Sequence, residues 1–134
     1  MIMLNDVCQY IEKLKPSFDN YYLGFIDKKK EKTLGIYNLK NSSKVMALGG
    51  LSNTSYAIRY VSLLVHWNHS SSETEKVANE LFDSIQNSKI EHIGNHRINY
   101  LMMNNGGAVD IGRDDNGVCE YVIEFEINYE REEI

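Results

Sequence analysis

The stretch SLLVHWNHSSSETEKVANELFDSI, Ser62 to Ile85, changes its period halfway along, and that change decides how the chain folds. In its first half the chain alternates: Val61, Leu63, Val65 and Trp67 fall on one side, Tyr60, Leu64 and His66 on the other, which is the two-residue period of a strand. Both sides are mostly apolar, so a strand from Tyr56 to Asn68 is predicted in the middle of a sheet. Past the serine block, Val77, Ala78, Leu81, Phe82 and Ile85 recur at helical spacing, predicting a helix to about Gln86. Ser72 and Glu75 fit a capping box at its start, and Glu73 and Glu75 complement the positive end of its dipole.

Working outward from this stretch, Leu4, Val7, Cys8, Ile11 and Leu14 predict a first helix over Leu4 to Lys15, ended by Pro16, the one proline of the chain. The runs YYLGFI (Tyr21 to Ile26) and TLGIYNL (Thr33 to Leu39), separated by DKKKEK, read as a hairpin with a longish loop. Gly24 and Gly35 inside them signal a bulge or a close approach by another backbone. NSSKVMALGGLSNTS has no period yet carries Val45, Met46, Leu48 and Leu51, so it is an apolar loop with the makings of a contact surface. In the last third, Ile90 to Ile93 and Arg97 to Met103 read as strands around a Gly94-Asn95 turn, and NNGGAVDIGRDDNG as loop. Val118 to Tyr129 has the cleanest alternation. Cys119, Tyr121, Ile123, Phe125, Ile127 and Tyr129 face one way and Glu120, Glu124, Glu126, Asn128 and Glu130 the other, which predicts one buried and one wet, acidic face. The order of elements argues for α+β: residues 1–134 as a single domain, with one mainly antiparallel, twisted sheet and two helices packed on one face.

At 134 residues and 43% hydrophobic, the chain suffices for one core. No apolar run approaches the roughly 20 residues of a bilayer-spanning helix, and MIMLNDVCQY lacks the basic start of a leader, so a soluble, unsecreted protein without membrane contact is expected. Cys8 and Cys119 have no metal-ligand or disulfide spacing and read as reduced core thiols. The net charge of −5 argues against a general nucleic-acid binder. Lys28, Lys29, Lys30 and Lys32 read as a solvated loop tip.

The sequence shows no catalytic constellation. His66 and His69, three apart on a strand, face opposite sides, and Gly94-Asn95 breaks any helix that would align His92 with His96. Strand-end and turn histidines are the expectation, with no metal and no cofactor. Neither cysteine has a basic neighbourhood, no G-x-S-x-G elbow occurs, and Gly49-Gly50 and Gly106-Gly107 lack the phosphate-loop pattern. Asp114-Asp115 in a turn, and Glu124 with Glu126 on a wet face, read as solvated carboxylates. Beyond catalysis, Tyr21, Tyr22, Phe25, Tyr37, Tyr56, Tyr60 and Trp67 leave open the alternative of a small-ligand or peptide-binding module.

The passage from YYLGFIDKKKEKTLGIYNL to SYAIRYVSLLVHWNHSSSETEKVANELFDSI, together with DIGRDDNGVCEYVIEFEINYER, resembles the minor capsid and tail terminator family of tailed bacteriophages and prophages. The likeness spans about Tyr21 to Tyr129. Where members often carry a proline before the aliphatic-Gly-x-Asp turn, this chain reads GGAVDIGRD. The resemblance implies a structural subunit, not an enzyme, that forms a ring, commonly a hexamer, capping the head-proximal end of the tail tube. Its expected partners are copies of itself, the major tail tube protein and a head-completion or connector protein, with DNA only passing through a lumen. Its expected place is the virion tail, reached by assembly in the bacterial host cytoplasm. Loop composition nominates Val45, Met46, Leu48, Leu51, Val109, Ile111 and Arg113 for the contacts, and Glu120, Glu124, Glu126 and Glu130 for an acidic lumen wall that repels phosphate.

Overall fold

The computed structural model describes residues 1–14, 16–39 and 55–131. The order along the chain is α1 (Leu4–Lys13), β1 (Asn20–Leu23), β2 (Thr33–Asn38), β3 (Tyr56–His66), α2 (Ser71–Gln86), β4 (His92–Ile93), β5 (His96–Met103), β6 (Val109–Arg113) and β7 (Cys119–Glu130). The strands form one sheet in the order β1-β2-β3-β7-β5-β4, with β6 also on β7. Every ladder is antiparallel except that of β1 with β2, so the chain has the α+β, mainly antiparallel fold its sequence predicts.

The long strand is central, as its apolar faces demand. β3 pairs with β7 from Tyr56↔Glu130 to His66↔Glu120 and with β2 on its other edge. Paired residues share a face, so Leu34, Ile36, Val61, Leu63, Val65, Tyr121, Ile123, Phe125, Ile127 and Tyr129 form the core face. Val7 and Ile11 of α1 and Ala78, Leu81, Phe82 and Ile85 of α2 join the same apolar cluster. α2 starts earlier than its capping box suggests: Ser70 is the N-cap, its hydroxyl accepting the Glu73 N–H at 3.3 Å. The Asn68 side chain holds the Ser70 N–H at 2.9 Å, which fixes the turn two residues before Ser72.

Two expectations need correction. The first two strands do not form a hairpin but run parallel, Asn20 beside Thr33 and Leu23 beside Ile36. At Gly24 the chain turns out of β1 with φ 80°, a conformation glycine adopts freely. Residues 24–32 then travel back beside β1. An Asx turn at Asp27, whose carboxylate accepts the Lys29 N–H, and a φ of 54° at Lys32 complete the return. The second correction is β6. The segment read wholly as loop contains a five-residue strand on β7, Val109↔Val122 to Arg113↔Cys119, with a bulge between Asp110 and Gly112. β5 and β6 follow one another along one edge of β7, separated by residues 104–108, where Ala108 N–H reaches the Asn79 side chain of α2 at 3.2 Å.

The returning segment 24–32 crosses the sheet face opposite the core. A Cβ at Gly35 would stand 2.6 Å from Ile26 Cγ2 and 2.7 Å from Tyr37 Cε1. The close approach at Gly35 thus comes from side chains, Ile26 lying over β2 and Tyr37, and not from another backbone. Because Ile26 is β-branched and has little rotamer freedom, Gly35→Ala should destabilise the protein by about 1–3 kcal/mol through overpacking. Urea unfolding measures this, and an unshifted midpoint would show that Ile26 is not held there.

Candidate functional site

The face opposite the core is read directly from the pairing. Its cross-strand rows are Thr33–His66–Glu120–Gly112, Gly35–Leu64–Val122–Val109, Tyr37–Ser62–Glu124, Tyr60–Glu126–Met102, Ile58–Asn128–Tyr100 and Tyr56–Glu130. This face is mixed rather than simply wet. Glu120, Glu124, Glu126 and Glu130 are all half-buried, set among Tyr37, Tyr60, Leu64 and Val122. Burial and the Glu120 charge raise the Tyr37 pKa, and burial followed by the Glu126 charge raises that of Tyr60. Asn128 is buried but satisfied, accepting from Asn99 Nδ2 at 2.8 Å and donating to the Tyr100 hydroxyl at 3.2 Å.

At one end of this face three titratable side chains from different elements converge. His66 at the end of β3 is fully buried, Asp114 in the β6–β7 turn has a side chain 4% exposed, and Glu120 near the start of β7 one 14% exposed. His66 Nδ1 lies 2.9 Å from Glu120 Oε2 and 3.8 Å from Asp114 Oδ2. Its other nitrogen, Nε2, faces the Lys28 carbonyl at 3.3 Å. The segment 24–32 that crosses the outer face is thus the lid that buries the ring.

Asp114 is held by its own turn. Its Oδ1 accepts the N–H groups of Asn116 and Val118, each at 2.9 Å, and its backbone pairs with Val118 and Gly117. Burial works against its charge, but these N–H donors and the nearby charges of His66 and Lys28 prevail and hold the Asp114 carboxyl below the ordinary range. Its Oδ2 is buried without a hydrogen-bond partner. Both nitrogens of His66 face oxygens, whereas a neutral imidazole carries one N–H. A neutral ring would therefore set a lone pair against either Glu120 or Lys28. The geometry sets Nδ1 between the oxygens of two carboxylates.

The sequence-nominated residues are distributed as follows. Val45, Met46, Leu48 and Leu51 lie outside the described residues. Val109 and Ile111 are exposed on β6. Arg113 is exposed too, but its guanidinium donates to the His69 and Gly117 carbonyls at 3.0 and 2.8 Å and braces the turn. Of the four glutamates, Glu120 is tied to His66. His69 is an exposed turn residue, as expected; His92 and His96 sit in the β4–β5 hairpin, His96 buried with its ring 5.0 Å from that of Tyr129. Cys8 offers no nucleophile: burial, then a hydrogen bond to Glu12 and its charge, push the thiol up to about 12. The aromatics do not gather in one pocket. Trp67 packs edge-on against Phe18 at 5.3 Å in the core, while Tyr37, Tyr56 and Tyr60 lie on the opposite face.

Removing the imidazole leaves the Glu120 and Asp114 carboxylates without their shared partner. His66→Leu is expected to lose about 1–3 kcal/mol of stability, with a smaller loss in the double variant His66→Leu/Glu120→Leu. Urea titration of both at neutral pH decides it; equal losses would mean that the two side chains do not interact.

The family model for the bacteriophage tail terminator protein matches residues 1–131 of the chain. No curated protein matches the sequence as a relative. A match of that extent takes in both helices, the whole sheet and the His66 cluster, and the chain belongs to the bacteriophage tail terminator family, whose members are structural components of the phage tail.

Proposed function

We propose that the chain closes with copies of itself into a ring, a hexamer, at the head-proximal end of the tail tube, where it ends tube growth and joins the tail to the head connector. One observation carries this reading: besides Met1 and Met3 before α1, the large exposed apolar side chains stand at two opposite edges of the sheet. Beside β1 stand Leu23 at 38% and Phe25 at 57% exposure; along β5 and β6 stand Tyr100 at 47%, Met102 at 49%, Val109 at 41% and Ile111 at 51%. β1 pairs on one side with β2, and among the described residues β6 pairs on one side with β7. Two different patches on opposite edges suit a heterologous contact, the kind that closes a ring when the rotation per subunit allows.

In this arrangement the two edges meet between neighbours. The loop carrying Val45, Met46, Leu48 and Leu51 contacts the major tail tube protein or the head-completion protein. The glutamates of the central β3–β7 ladder, Glu124 and Glu126 with Glu130 and the His66-bound Glu120, face the lumen, where a negative wall repels passing DNA. The subunit assembles in the host cytoplasm and ends in the virion tail. A reconstruction of the ring with Glu124 and Glu126 on its outer circumference would rule out the lumen wall.

Heterologous closure has a specific signature in mixtures. Phe25→Asp spoils one edge and Ile111→Asp the other, so each variant alone is expected to be monomeric by light scattering under conditions where the unmodified chain forms annular particles. Mixed together, they retain one intact pair of surfaces and should form dimers but no rings. Rings from either variant, or no dimers on mixing, would show that these edges are not the contact.

A further inference from the structure

We propose that His66, Asp114 and Glu120 form a binding site for a divalent transition-metal ion, zinc foremost, which fastens the β6–β7 turn to the end of β3. The donor set is one imidazole and two carboxylates, and the candidate ligand atoms, one from each residue, lie within 4.8 Å of one another. A tetrahedral ion with bonds of about 2.0–2.2 Å needs donors roughly 3.3 Å apart. The separations from His66 Nδ1, 2.9 Å to Glu120 and 3.8 Å to Asp114, bracket that value. The ligand atoms of all three residues lie within 4.8 Å of one another, so a modest approach of the two carboxylates converts the cluster into a coordination site.

Two further features suit an ion. Among the described residues Asp114 Oδ2 is buried without a hydrogen-bond partner, and it lies 3.8 Å from His66 Nδ1. His66 Nε2 lies 3.3 Å from the Lys28 carbonyl; a proton on that nitrogen leaves the Nδ1 lone pair for the ion, since a carbonyl hydrogen bond to the other ring nitrogen fixes the tautomer of a metal-binding histidine. An imidazole in the set favours zinc and its neighbours over magnesium or calcium. The site shares Glu120 with the proposed lumen wall and directly follows β6 in the chain, but its test reads metal binding by the isolated chain, so its failure is distinguishable from failure of the ring.

The test is calorimetric titration of ZnCl2 into the full chain after treatment with chelator, with Co2+ absorption spectra as a second readout. Asp114→Asn is the informative variant. Its remaining carbonyl oxygen can still accept the Asn116 and Val118 N–H groups that hold the turn, while the anionic Oδ2 is lost. One ion per chain is expected, with visible bands of tetrahedral Co2+. Asp114→Asn and Glu120→Gln should each weaken binding by more than the roughly 10–100-fold seen when a group hydrogen-bonded to a ligand is changed, and His92→Ala, altered at an exposed hairpin histidine, should leave it unchanged. If one variant fails to fold by circular dichroism, the other decides. No saturable binding at one ion per chain would overturn the proposal. Affinity within threefold of the unmodified chain in the folded variants, or lost in His92→Ala, would overturn it equally, by placing the ion elsewhere.

Discussion

The register between β3 and β7 is the constraint on which the rest of the structure depends. Pairing from Tyr56↔Glu130 to His66↔Glu120 places Val61, Leu63 and Val65 beside Phe125, Ile123 and Tyr121 on one face, and Tyr60, Ser62 and His66 beside Glu126, Glu124 and Glu120 on the other. A slip of one residue would turn every side chain of one strand over. It would bring Glu124 and Glu126 against the helices and expose Phe125, now fully buried. Burial of Phe125, Ile123 and Ile127 makes that slip prohibitive at about 1.5–3 kcal/mol per large apolar side chain. The other strands then add to edges this pair has already defined: β2 to β3, and β5 and β6 in succession to β7.

The same register explains why the second face is not an ordinary solvated surface. Toward the Tyr56 end its β3 and β7 residues are half-buried, and Asn128 is buried. At the His66 end the segment 24–32 crosses it, and glycine at 35 allows Ile26 to sit on β2 while the Lys28 carbonyl reaches His66. Two carboxylates and an imidazole are thereby removed from water together. A single buried charge is strongly penalised, so these groups are mutually dependent, and none of the three is explained by its own strand alone.

Much of this was legible from the residues. Both helices, the central strand, the Gly94 turn and the alternation of β7 followed from period, because each buries one stripe or one face and the stripe is written locally. What escaped was set by contacts distant in sequence. β1 and β2 look like a hairpin since two apolar runs flank a charged loop; the parallel path depends on the backbone at Gly24 and on Ile26 finding Gly35. β6, with the sequence VDIGR and all five residues exposed, has no buried face to leave a pattern, and becomes a strand through backbone pairing with β7. The cluster was hidden for the same reason. Asp114 resembles any turn aspartate and Glu120 any wet strand residue. The available signal was His66 itself, a titratable side chain in a strand apolar on both faces, which required a partner somewhere.

An exposed strand such as β6, paired on one side only among the described residues, is a liability for an isolated subunit, because such an edge invites pairing with other chains. Its turn is nevertheless tightly specified: the Asp114 carboxylate holds two N–H groups, Arg113 bridges the His69 and Gly117 carbonyls, and His69 Nε2 lies 2.9 Å from the Asn116 carbonyl. Such bracing on an edge whose apolar side chains face outward has a physical logic in an assembling protein. Association must offset the entropy of ordering the surfaces that meet, and a hairpin already fixed by its own hydrogen bonds leaves less ordering to the contact. The His66 cluster anchors that turn to the most deeply paired strand of the sheet. In the proposed ring, the rigidity of the core would thus reach the edge where neighbouring subunits join.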